Sequence, residues 1–187
     1  MARLLDQILV VDVESTCWDN EPPAGQMNEI IEIGICPVDV RNMSRLERRS
    51  ILVRPEKSEI SPFCTELTTL TAAQLSSGVS FAEACRRLTR DFKSKDRVWA
   101  SWGDYDRIQF ERCCQAFQVP YPFGRTHLNV KSLFSLLEGQ TREQGLADAY
   151  QHLGWTLEGT HHRGHDDAWN IAGIFCEIGR RQRMSKG

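Results

Sequence analysis

Residues 7–14 read Gln-Ile-Leu-Val-Val-Asp-Val-Glu, apolar on both faces of a strand until Asp12 interrupts. Alternation along a strand puts Ile8, Val10, Asp12 and Glu14 on one side. A hydrophobic face that ends in two carboxylates is costly unless the charge is exposed or paired with a cation. A strand that simply runs out into solvent at Asp12 gives the same pattern, so the pair alone leaves both readings open.

Outward from this strand, a polar loop holds Pro22, Pro23 and Gly25, and residues 29–38 read as a second strand. Residues 48–54 read as a third, stopped by Pro55. Three close strands with short connections predict an antiparallel meander. The character then changes. Residues 71–75 and 81–92 have helical patterns, the latter with Phe81, Ala84, Cys85, Leu88 and Phe92 on one face. Residues 98–102 form a short strand, 105–117 a helix with Phe110, Cys113 and Phe117 inward, and 127–130 a further strand. Helices follow near 132–137, 146–153 and 166–181. Strands first, then alternating strand and helix, predict an α/β fold whose mixed five-stranded sheet has three antiparallel and two parallel strands, flanked by helices. The 187 residues fit one domain, spanning 1–187 with a motif-bearing core from about 7 to 180, without repeats or a linker.

The acid motif recurs. Asp106 shares a helical row with Phe110, Cys113 and Phe117, at the start of a buried stripe, while Asp104 is the better candidate to cap that helix. Asp167 shares a stripe with Ile171, Ile174 and Ile178, while Asp166 points elsewhere. Acids on inner stripes in three separate elements have a common physical explanation in divalent cations, since Mg²⁺ takes oxygen ligands from a few carboxylates and keeps several waters. His162 lies five residues before Asp167 in His161-His162-Arg163-Gly164-His165-Asp166-Asp167. A zinc reading of His161, His162 and His165 lacks the partner spacing of structural zinc sites.

Bulk properties narrow the class. Hydrophobic residues make up 41% and no apolar run approaches the ~20 residues of a membrane span. Met-Ala-Arg-Leu-Leu-Asp runs straight into a strand with no signal-peptide pattern, and the seven cysteines include no Cys-x-x-Cys pair. A cytoplasmic protein with reduced thiols is expected. The net charge of −2 announces no basic fold, so any grip on nucleic acid rests on a local patch.

Asp12-Val13-Glu14-Ser15-Thr16-Cys17, Gly103-Asp104-Tyr105-Asp106 and His162-Arg163-Gly164-His165-Asp166-Asp167-Ala168 together resemble the three motifs of the DEDDh 3′-to-5′ exonucleases, and most nearly those of the histone-mRNA 3′-exonuclease subfamily. Asn28-Glu29-Ile30-Ile31-Glu32-Ile33-Gly34, Val53-Arg54-Pro55, Phe63-Cys64-Thr65-Glu66-Leu67-Thr68 and Ser101-Trp102-Gly103-Asp104 fit as well, so the similarity runs from about Gln7 to Arg180. It implies a ribonuclease-H-like fold and two Mg²⁺ or Mn²⁺ ions held by Asp12, Glu14, Asp106 and Asp167. His162 would be the general base; His161 stands beside it, and counting back from Asp167 favours His162. The implied activity is hydrolysis from the 3′ end of single-stranded nucleic acid, preferably RNA, releasing nucleoside 5′-monophosphates.

By the same resemblance Thr16, Phe63, Leu67 and Tyr105 are candidates to meet the terminal nucleotide, although core packing is the plainer expectation for Phe63. Where the family often has Thr-Gly-Ile-Thr, this chain has Thr68-Thr69-Leu70-Thr71, a change expected at the 3′-terminal pocket. Arg107 and Arg163 are candidates for phosphate, and Arg86, Arg87, Arg90, Lys93, Lys95 and Arg97 form a denser basic set that a solvated helix face explains equally well. A DNA proofreading-type exonuclease uses the same five catalytic residues; a catalytically silent nucleic-acid-binding module would have lost one of them, and none is lost. No membrane association is expected, and the sequence points to no protein partner.

Overall fold

The computed structural model describes residues 4–185; Met1 to Arg3, read above as the start of a chain without a signal pattern, and Lys186 and Gly187 lie outside the described residues. The sheet is built on β1 (Leu4–Ser15), which pairs antiparallel with β2 (Ile30–Asp39) in a register that sets Asp12 opposite Gly34 and Glu14 opposite Glu32. The far edge of β2 carries two short strands, β3 (Ser44–Arg45) and β4 (Arg49–Leu52). On the other side β1 pairs parallel with β5 (Arg97–Ser101), and β5 pairs parallel with β6 (His127–Asn129). The sheet therefore has six strands, not the expected five. The extra one is β3, which precedes the expected third strand of residues 48–54; β4 forms Arg49–Leu52 of that stretch, and the edge is interrupted between Arg45 and Arg49. The break lies opposite Pro37, which can offer the edge no N–H; its carbonyl still accepts from the Leu46 amide at 2.9 Å.

Helices cover both faces. Among them are α1 (Pro62–Thr68), α2 (Ala72–Ser76) and α3 (Phe81–Phe92), followed after β5 by α4 (Tyr105–Phe117) and after β6 by α5 (Val130–Leu137), α6 (Leu146–His152) and α7 (Gly164–Met184). Odd residues of β1 (Leu9, Val11, Val13) pack with Phe81 and Leu88 of α3, Trp99 of β5 and Phe110 of α4. Val10, on the even side, packs with Val130, Phe134, Ala149 and the Ala168, Ile171 and Ile174 stripe of α7. Asp12 and Glu14 thus continue the face that α7 covers. Among the described residues no helix is long and apolar enough to cross a membrane.

Two local results differ from the expectations. The helix α1 was not anticipated, although Ser61 caps it by accepting from the Cys64 amide and Pro62 sits in its first turn. Its apolar residues mislead: Phe63 and Leu67 face outward at 37% and 36% exposure while Cys64 and Thr68 face in, so Phe63 is not the core residue expected. Asp104 occupies the N-cap position of α4 but makes no capping bond. It accepts instead from Arg107 and Asn129.

Candidate active site

The carboxylates meet at the C-terminal end of β1. β5 stops pairing at Val10↔Ala100, and beyond that point the Val13 N–H donates to Asp106 Oδ1 at 2.8 Å. The first turn of α4 is thereby fixed against β1, with Asp106 only 3% exposed. Asp167, in the first turn of α7, accepts the His162 N–H at 2.8 Å and has His161 Nδ1 3.0 Å from both of its oxygens. Ligand oxygens of Asp12, Glu14 and Asp167 all lie within 4.8 Å of one another. Of the expected five, the four acids and His162 line one cleft of about 390 Å³.

The crowding shows in the proton affinities. Burial, and then the charges of Asp106 and Glu14, hold the Asp12 carboxyl well above the usual range. Burial and the neighbouring Asp167 push Glu14 up to about 8. Burial raises Asp106 to about 7 against the opposing pull of the Val13 amide. Among the described residues, neither Asp12 nor Glu14 accepts a hydrogen bond from protein. Hard oxygen donors, close together, desolvated and without protein donors of their own fit a divalent cation of the Mg²⁺ or Mn²⁺ type.

His162 has φ +63°, a left-handed conformation that side-chain-bearing residues seldom adopt. Its ring stacks on that of His161 at 4.0 Å. Burial, and then His161, lower its pKa, which favours the neutral imidazole. The three histidines do not converge: His165 turns away and places Nδ1 2.7 Å from Glu32 Oε1. His161 and His162 do share a possible cation position with Asp167.

The candidate nucleotide-contacting residues divide. Leu67 and Tyr105 line the cleft. Phe63 stands exposed on α1 outside the lining, and Thr16 is fully buried. The Thr16 hydroxyl is engaged, donating to the Met27 carbonyl at 2.9 Å and accepting from the Glu29 amide at 2.8 Å. Trp102 and Leu146 line the cleft unforeseen. Among the basic candidates, ion pairs join Arg107 with Asp104 and Glu111, Arg86 and Arg87 with Glu83, Arg90 with Asp91, Arg97 with Asp6 and Arg163 with Glu32.

Glu32 is the residue near the site to which sequence reasoning gave no role. It is fully buried on β2, and its signal was a carboxylate inside Ile30-Ile31-Glu32-Ile33-Gly34-Ile35. Burial opposes its charge, but hydrogen bonds from Arg163, Ser50 and His165 prevail and lower its pKa. Two residues along, Gly34 lies directly beneath the start of α7. A Cβ there would overlap the Gly164 carbonyl and the His165 nitrogen.

Comparison with known proteins places these features in context. The exonuclease (RNase T) family model matches residues 9–175. The chain is 28% identical over 199 aligned positions to 3′-5′ exoribonuclease 1 of Rattus norvegicus, covering 97% of this chain and 57% of that protein. It is 27% identical to the probable 3′-5′ exonuclease KapD of Bacillus subtilis (strain 168), covering 91% of this chain and 83% of that one. The chain thus spans little more than half the length of the rat protein but most of KapD. The crystallographic structure of the nuclease domain of 3′hExo, a DEDDh family member bound to rAMP, superimposes with a TM-score of 0.86 at 25% identity, over 94% of this chain and 92% of that domain.

Proposed function

The chain belongs to the exonuclease family, with the DEDDh residue set, and from that premise we propose that it removes nucleotides one at a time from the 3′ end of single-stranded RNA. The observation that carries this reading is the convergence of Asp12, Glu14 and Asp167 within 4.8 Å in the cleft that also holds Asp106 and His162. Asp12, Glu14, Asp106 and Asp167 are the residues that would hold a pair of divalent cations. Bound there, such ions neutralise the phosphodiester and make a water nucleophilic near neutral pH.

The remaining work falls to the chain. His162, kept neutral by its surroundings, accepts the proton of the attacking water. Asp167 fixes the backbone that presents His162, through its hydrogen bond to the His162 amide. Leu67 and Tyr105 offer an apolar and an aromatic surface to the terminal base. Attack at the terminal phosphodiester with departure of the 3′-oxygen releases a nucleoside 5′-monophosphate, the class of molecule named with the 3′hExo nuclease domain. The preference for RNA is supported by the relatives described as exoribonucleases. The free cysteines, six of them buried, support a reducing compartment such as the cytoplasm.

The test uses 5′-labelled single-stranded RNA and DNA of equal sequence with Mg²⁺, Mn²⁺ or EDTA, beside an Asp12→Ala control. A metal-dependent ladder shortening from the 3′ end, faster on RNA and absent in the variant, is the expected result. Faster DNA trimming would transfer the reading to a DNA exonuclease. Tight oligonucleotide binding without any ladder would make the chain a silent binding module.

A further inference from the structure

We propose that Glu32 is a positioning residue for His162, acting through the turn formed by Arg163 and Gly164, and that it is not a cation ligand. The inference rests on the exonuclease reading above and deepens it. Glu32 is a fifth carboxylate beside the site, so the first question is whether it belongs to the metal-binding set. Its hydrogen bonds answer that. Oε1 accepts from Ser50 Oγ at 2.6 Å and His165 Nδ1 at 2.7 Å; Oε2 accepts from Arg163 Nε at 3.0 Å and the Gly164 amide at 3.2 Å. The acceptor directions of both oxygens are taken, whereas those of Asp12 and Glu14 are open.

What Glu32 holds is the segment that follows the general base directly. His162 sits at φ +63°, and a non-glycine residue in that region relaxes unless its neighbours are fixed on both sides. Asp167 fixes the amide of His162 itself. On the other side Glu32 grips Arg163 by its side chain and Gly164 by its backbone. The anchor is rigid, because β2 is paired along both edges and Glu32 is wholly enclosed. Arg163 carries the link outward, its Nη1 lying 3.4 Å from Thr69 Oγ1 at the end of α1, close to the cleft-lining Leu67. Glu32 therefore touches neither cation position nor substrate, yet determines where the imidazole of His162 stands.

The experiment compares the full-length protein with Glu32→Gln, His162→Ala and the double variant on labelled RNA under Mg²⁺. Hydrogen exchange is followed at the His162 amide and at the β1 and β2 amides. Glutamine keeps the shape but turns a donor toward donors. The expected result is a kcat lowered about 10- to 100-fold with KM changed by less than about threefold. In the His162→Ala background the same substitution should cost less than about twofold, because two changes acting through one group do not add. Exchange should quicken at His162 while the strands stay protected. Should Glu32→Gln fail to fold, Arg163→Ala removes half the clasp and should show the same non-additivity. Equal losses in both backgrounds, or an unchanged kcat, would overturn the positioning role. An inactive wild-type protein would instead overturn the exonuclease reading itself.

Discussion

Gly34→Ala adds one methyl group at the place where β2 and the start of α7 touch backbone to backbone. The added carbon would meet the Gly164 carbonyl and the His165 nitrogen well inside 3.0 Å, and both are main-chain atoms that cannot rotate aside. Restoring ordinary contact at 3.4 Å or more requires α7 to retreat from the sheet by more than about 1 Å. That retreat lengthens the 3.2 Å bond from Gly164 to Glu32 and carries Asp167 away from Asp12 and Glu14. Overpacking together with a weakened buried hydrogen bond costs about 3 kcal/mol. In a chain of 187 residues this lowers Tm by roughly 6–12 °C. A displacement of this size between groups that must act together costs about a hundredfold in kcat. Urea unfolding and initial rates on labelled RNA, at a temperature where the variant remains folded, measure the two effects. Stability within about 0.5 kcal/mol of the parent and a rate within about twofold would refute the reasoning, since α7 would then have yielded without consequence.

The raised carboxyls predict that the metal-free protein weakens as pH rises. Acids with folded pKa values of about 8 (Glu14) and 7 (Asp106) favour folding most below their ordinary values near 4, and that contribution is lost as pH climbs through 7 and 8. With EDTA, stability should fall between pH 6 and 9 by about 4 kcal/mol, and Mn²⁺ should flatten the curve; a metal-free protein most stable at pH 9 would contradict this. Thr69 holds φ +61° with a branched side chain, so Thr69→Gly should raise stability by about 0.5 kcal/mol after glycine's entropic cost, and a lowered Tm would show that the Arg163 contact outweighs the strain. Phe110→Ala, at a fully buried ring, should cost about 3–5 kcal/mol, whereas Phe63→Ala should change stability by less than about 1 kcal/mol; similar losses in urea unfolding would mean that α1 packs inward.

The parts that could be read from the sequence are those where a local pattern is broken by charge. Asp12 and Glu14 interrupt an apolar strand, a pattern that a strand running out into solvent gives as well; Asp106 and Asp167 each begin a helical stripe of largely buried apolar residues, and it is the recurrence in three elements that points inward. What escaped depends on partners far along the chain or on exceptions to the pattern. Glu32 looks like an error in a strand until Arg163, Gly164 and His165 arrive from the far end of the sequence to satisfy it. The interrupted edge lies opposite Pro37, which has no N–H to offer it. The outward Phe63 and Leu67 inverted the stripe of α1, and the Thr16 hydroxyl was consumed by the Met27–Glu29 backbone. Position relative to Asp167 separates His162 from His161 in the sequence, and the structure adds that both rings occupy the cleft, stacked.

The four acids are contributed by β1, α4 and α7, the first strand, a central helix and the last described one. This ordering has a bearing on how the site is assembled as the chain is made. A growing chain that has released only β1 holds two carboxylates with nothing opposite them, and α4 adds a third without the histidine. Contacts between residues so far apart in sequence carry a large loop-closure cost, which favours late docking of α7. Until α7 docks, therefore, the candidate site lacks Asp167 and the neighbouring His162. Fraying of the first turn of that helix would part Asp167 from Asp12 and Glu14 in the same way.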